Sequence, residues 1–118
     1  MSSKHELGAK GQHAAETFLQ GKGYHVLARN FRKRFGEIDL VMQDGEYVVF
    51  VEVKARASTT HGYPREAVGA TKQQRIIKAA VAYVAQHELT NTDIRFDVVE
   101  VLIQHGQIFV SHIENAFQ

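Results

Sequence analysis

With 118 residues, 44% of them hydrophobic, the chain has material for one domain with a modest core. Its 14 Lys and Arg against 13 Asp and Glu leave a formal charge of +1, which excludes a strong overall pull on polyanions but not a local basic patch. Without cysteine it forms no disulfide and no thiolate metal site, which suits a reducing compartment. MSSKHELGAKG has no apolar run and no stretch approaches the ~18 apolar residues of a membrane span, so the expected place is the cytoplasm, with no membrane partner.

Residues 6–22 predict a helix, because Leu7, Gly11, Ala14, Ala15, Phe18 and Leu19 recur at three- and four-residue steps, and Gly23 suits its stop. YHVLARNF, 24–31, predicts a strand, and RKRFG a basic connection. EIDLVMQ (37–43) and EYVVFVEVK (46–54) predict a hairpin about Asp44-Gly45. ARASTTHGYPREAVGA predicts a loop holding the one proline. A helix follows over about 72–88, with Thr71 and Gln74 fitting a capping box and Ile76, Ile77, Ala80, Val81 and Val84 as its buried stripe. DIRFDVVEVLI (93–103) and QIFVSHI (107–113), separated at His105-Gly106, predict two more strands. The order α-β-β-β-α-β-β, with no repeat, low-complexity tract or linker, predicts one α/β domain over 1–118: a mixed sheet flanked by two helices.

The hairpin carries charges where core residues are expected. A turn centred on Asp44-Gly45 pairs Gln43 with Glu46 and sets Glu37 opposite Glu52 and Asp39 opposite Phe50. Glu37, Asp39, Glu52 and Lys54 then share one face, with Asp39 and Glu52 as diagonal neighbours, while Ile38, Leu40, Val49, Val51 and Val53 fill the other. Clustered carboxylates repel one another, a divalent cation removes that repulsion, and oxygen ligands suit Mg²⁺. The adjacent lysine can orient a water or stabilise developing negative charge. The plainer reading is a solvated hairpin end carrying a surface ion pair.

Asp39, twelve intervening residues and Glu52-Val53-Lys54 resemble the PD-(D/E)xK nuclease signature. GAKGQHAAETFLQGKGYHVLARNFR, FGEIDLVMQDGEYVVFVEVKAR, HGYPREAVGATKQQRI and RFDVVEV resemble the YraN-like family of uncharacterised proteins over nearly the whole chain. The resemblance implies a restriction-endonuclease-like fold similar to archaeal Holliday junction resolvases, and DNA, including branched DNA, as partner. It implies Mg²⁺ or Mn²⁺ on Asp39, Glu52 and the main-chain carbonyl of Val53, with Lys54 positioning the attacking water. Glu37 would support the site or bind a second metal. The family's first-helix glutamate is replaced here by Gln12, whose amide coordinates without charge; Glu16, one turn later, either reaches the same region or is solvated. Some relatives of this fold act as dimers, which leaves a homodimer open.

Arg29, Arg32, Lys33 and Arg34 bracket the hairpin, Arg56 follows Lys54, and Lys72, Arg75 and Lys78 fall on the outer side of the second helix; all eight are candidates for phosphate contact, or ordinary surface charge. Phe31, Phe35 and Tyr63 are candidates for base stacking or packing. None of the seven histidines makes an i, i+4 zinc pair, and His61, in the loop with Tyr63, Pro64 and Arg65, is the one expected nearest the site. Ser58, Thr59 and Thr60 offer no nucleophile elbow. Asp97 and Glu100, on opposite faces of their strand, are read as solvated, ion-paired or supporting. Three functions stay open: a metal-dependent DNA endonuclease, a non-catalytic nucleic-acid-binding module, and a subunit serving another protein.

Overall fold

The computed structural model describes residues 4–57 and 68–117. Its elements are α1 (Lys4–Gly21), β1 (His25–Lys33), β2 (Gly36–Asp44), β3 (Tyr47–Arg56), α2 (Ala70–Gln86), β4 (Asp93–Gln104) and β5 (Gln107–Phe117), in the expected order. The strands form one sheet in the order β1-β2-β3-β4-β5, antiparallel except for the central β3–β4 pair. A parallel pair needs a long crossover, and α2 lies within it. No helix among the described residues is long and apolar enough to cross a membrane.

Each helix covers one face of the sheet. Ala15 and Leu19 of α1 pack with Leu40, Met42, Val49, Val51, Val99 and Val101. Ile76, Ala79, Ala80 and Tyr83 of α2 pack with Val41, Val48, Phe50 and Phe96. Covered on both faces, β3 is buried continuously from Val48 to Val51, as central strands are. Each such side chain contributes about 1.5–3 kcal/mol of burial.

Four local expectations are corrected. The hairpin loop is Gly45-Glu46, with Asp44 paired to Tyr47 and Gln43 to Val48, two residues beyond the expected register. Gly45 has φ 58 and Glu46 stays at negative φ, as a turn with glycine first requires. In the His105-Gly106 loop both residues have positive φ, the other hairpin solution. Second, Ile38 packs on the α2 side with Val41, not with Leu40. β1 changes face at the same level: Ala28 and Phe31, three apart, both face α2. Between them Asn30 takes φ 51, a left-handed conformation that asparagine tolerates better than most residues. Third, no side chain caps α2: its N-cap is Gly69, and Gln73 Nε2 donates to the Val68 carbonyl in place of the Thr71–Gln74 box. Fourth, Val81 is 62% exposed, while Ala79 and Tyr83 join the stripe; Tyr83 meets Phe31 and Phe50 edge-on.

Candidate functional site

The buried run of β3 continues into Glu52, which is 4% exposed. The β2–β3 ladder ends at Leu40 opposite Val51. One step further brings Asp39 level with Glu52, so the two carboxyl groups face each other directly rather than on a diagonal. Past that point the Asp39 side chain replaces the ladder: the Val53 N–H donates to Asp39 Oδ2 at 2.7 Å. The face change at Ile38 therefore coincides with the residue that opens the site.

Two lysines stand over this pair. Lys72 Nζ, from the first turn of α2, lies 2.6 Å from Glu52 Oε2, and Lys54 Nζ lies 3.6 Å from the same oxygen. Neither contact is a hydrogen bond, so this buried oxygen is paired by charge alone. Burial, then the charge of Glu52 and the hydrogen bond between the two carboxyls, push Asp39 up to about 7, against the Val53 N–H and Lys72. Burial and the neighbouring Lys72 lower Lys54, with Glu52 opposing. Lys72 itself is lowered by burial but raised more by Glu52, and ends above the ordinary lysine value.

Asp39 and Lys54 open on a groove of about 800 Å³ between α1 and the β1–β2–β3 edge, with Glu52 buried behind them. Gly11 makes this approach possible: a Cβ there would meet Ala55 Cβ at 2.4 Å, so only glycine lets α1 lie this close to β3 beside the site. Gln12, Glu16, Arg29, Glu37, Asp39, Val53 and Lys54 all line the groove. Glu16 is not solvated; Arg29 grips it with two bonds of 2.7 and 2.9 Å, and its carboxyl is held below the ordinary range, first by that hydrogen bond. Arg32 pairs with Glu37 at 3.1 Å. Two of the expected phosphate-binding arginines thus hold groove carboxylates. Lys33 and Arg75 line an adjoining cleft with Glu37 and Lys72. Arg34 and Lys78 are exposed and Arg56 is half-buried. Phe31 packs under Tyr83, and Phe35 is 45% exposed beside the same basic turn. Ser58, Thr59, Thr60, His61, Tyr63, Pro64 and Arg65 lie outside the described residues.

The donor set fits a hard cation that keeps its water. Two carboxyl groups meet there, Glu52 buried and Asp39 half-buried, and the buried Glu52 Oε2 accepts no hydrogen bond. Among the described residues no cluster of three or more His, Asp or Glu is close enough to hold a metal alone. Mg²⁺ commonly takes one or two carboxylates and fills its octahedron with water, which leaves a place for the Val53 carbonyl.

The model of the uncharacterised protein family UPF0102 matches residues 11–101. The chain belongs to that family. The YraN-like resemblance is thereby borne out, and the matched span takes in Gln12, Asp39, Glu52, Lys54 and Lys72. UPF0102 proteins of Chlorobium phaeobacteroides and Clostridium acetobutylicum are each 44% identical to it, over 96% of this chain and 94% of the relative. A UPF0102 protein of Syntrophomonas wolfei is 45% identical over 95% of this chain and 97% of its own. This chain and its UPF0102 relatives thus correspond over nearly their whole lengths.

Sequence reading missed two features. The role of Lys72 was hidden because it depends on where α2 docks. The second is a buried network at the other end of the sheet: Arg95 donates to Asp97 at 2.9 Å twice, to Asp44 at 3.1 Å and to the Tyr24 hydroxyl at 2.6 Å. His112 Nε2 meets Asp97 Oδ2 at 2.7 Å, and its Nδ1 meets Lys22 Nζ at 2.9 Å. Since an ammonium only donates, Nδ1 accepts and Nε2–H donates to Asp97. Asp97, ion-paired as one of its readings had it, is fully buried. The signal was DIRFDVVEV, a charge inside an apolar strand, which demands partners.

Proposed function

We propose that this chain is a divalent-metal-dependent phosphodiesterase acting on DNA, with branched or junction DNA the first substrate class to test. The observation that carries the reading is the Asp39–Glu52 pair under Lys54 and Lys72, with Glu52 buried and half-buried Asp39 on the wall of an open groove. A solvated hairpin end would leave both carboxyls in water with ordinary acidity; here Asp39 is pushed up to about 7 by burial and by Glu52, the kind of perturbation functional sites concentrate.

Asp39 and Glu52 would hold Mg²⁺ or Mn²⁺, with the Val53 carbonyl as a third donor. When bound, such an ion neutralises charge developing on phosphate and acidifies a water. Asp39 gives up its proton on loading, and the Val53 N–H keeps its carboxylate aimed. Lys54, made less basic by burial and by Lys72, holds the attacking water and steadies the developing charge. Lys33, Arg34, Arg75 and Lys78 hold the backbone phosphates, which gives affinity without base reading.

A second reading, a non-catalytic nucleic-acid-binding module, is favoured by Gln12, an uncharged amide on the groove wall. Linear, flapped and four-way junction DNA, each incubated with Mg²⁺ and with Mn²⁺, separate the readings. The proposal expects metal-dependent cleavage of at least one of them. Binding without turnover at high Mn²⁺ selects the second reading, and no binding of any nucleic acid at low salt points to a subunit serving another protein.

A further inference from the structure

Four groups meet at the site, two carboxyls and two ammoniums; their charges sum to zero with both carboxyls ionised, and to one net positive charge while Asp39 keeps its proton. Without a metal the cluster therefore carries no excess negative charge. Adding a divalent ion would leave an excess of two positive charges in a half-buried place, so one ammonium has to leave. Lys54 is the wrong one: its side chain is 20% exposed and rises from the middle of a paired strand. Lys72 sits on the first turn of α2, its side chain is 48% exposed, and it already borders the cleft lined by Lys33 and Arg75. It is also the nearer of the two to Glu52 Oε2, at 2.6 Å.

We propose that Lys72 is a stand-in cation, neutralising Glu52 in the metal-free protein, displaced by the incoming metal ion and released into the cleft to contact a substrate phosphate. The inference rests on the metal-dependent reading and adds a regulation to it: metal and DNA bind cooperatively, because the ion frees a cation for the polyanion and the polyanion draws that cation off the metal site. Lys72 is a positioning residue in this scheme, and it competes with the metal rather than aiding its capture.

Calorimetric titration of Mn²⁺ into wild-type protein and the Lys72→Met, Lys72→Arg and Asp39→Asn variants tests it. Lys72→Met should bind Mn²⁺ about tenfold more tightly than wild type, the scale of losing one partly buried competitor charge. Lys72→Arg should stay near wild type. Thermal melting gives a second reading: Lys72→Met should melt below wild type without metal, since buried Glu52 keeps only the longer Lys54 contact at 3.6 Å, and the gap should close at saturating Mn²⁺. A purely structural lysine would weaken metal binding or leave it unchanged when removed. If wild type binds Mn²⁺ through Asp39 but Lys72→Met binds no more tightly, the stand-in role is overturned and the metal site survives. If neither wild type nor Lys72→Met binds Mn²⁺, both fall together.

Discussion

Asp39 keeps a proton that an exposed aspartate loses near pH 4. Its carboxyl is pushed up to about 7 in the fold, against an ordinary 3.8, so between those values the unfolded chain binds fewer protons than the native one. Stability from this group is fully present below the ordinary pKa and is lost as pH rises towards 7. Chelator-treated protein should therefore lose stability from about pH 4 to 7, and Asp39→Asn should flatten that slope in urea unfolding series. Under the proposed function metal loading would have the opposite sign: it would expel the proton, so Mn²⁺ affinity should rise with pH up to about 7. Asp97 behaves differently again. Burial raises it, but His112, Arg95 and the Asn115 N–H together hold it below the ordinary range, so its contribution is present above pH 4 and lost on acidification. Asp97→Ala should cost about 3–5 kcal/mol by chemical denaturation, because it removes the two-bonded carboxylate partner of the Arg95 guanidinium and leaves the His112 Nε2–H without its acceptor. At this scale the sequence was informative wherever a charge interrupted an apolar strand, as at Asp39, Glu52 and Asp97. It was silent on Lys72, since a lysine in a helical first turn reads as solvated until the docking of that helix is known.

Helices and strands place these groups through a few tight spots. Gly11→Ala would raise helix propensity by about 1 kcal/mol in an exposed helix. Here the new methyl meets Ala55 at 2.4 Å, so α1 has to back away, with a net loss of about 1–3 kcal/mol. Gly11→Ala combined with Ala55→Gly should recover most of it, which thermal melting of wild type, the single variant and the double variant checks. Asn30 is a second such spot. Asn30→Val should destabilise by about 1–2 kcal/mol through its positive φ, whereas Asn30→Gly should be nearly neutral. The element types were legible because their periodicities are strong and their turns carry Gly. The register was not, since Asp44-Gly45 and Gly45-Glu46 both place a glycine in a two-residue loop and differ only in which residue takes positive φ. Face alternation survived that error because a shift of two preserves parity; the flip at Asn30 did not show, since nothing in ARNF separates a left-handed asparagine from an ordinary strand residue.

Across the whole molecule, charge is sorted by position rather than by total. A net charge of +1 conceals a basic rim of Lys33, Arg34 and Arg75 about the cleft that adjoins the groove, with Lys78 exposed further along α2, and the positive ends of both helices lie at that same end. Arg29 and Arg32 are tied to Glu16 and Glu37, so their loss should alter the groove more than the affinity for DNA. Each of Lys33→Ala, Arg34→Ala and Lys78→Ala should weaken duplex binding uniformly across sequences and reduce the slope of log K against log salt by about one. The element order and the mixed sheet were legible from the sequence, and so was the meeting of Asp39, Glu52 and Lys54 at one end of the hairpin. The arrangement that joins α1, β3 and α2 around that site was not, because it depends on packing between segments far apart in the chain.

Single-turnover cleavage of a four-way junction in Mn²⁺, wild type against Asp39→Ala and Lys54→Ala purified identically, bears most directly on the Asp39–Glu52 pair as the proposed catalytic centre. Wild type should cleave, and both variants should lose at least about a hundredfold in rate while keeping wild-type melting cooperativity. Equal Mn²⁺-dependent cleavage by all three would contradict that role.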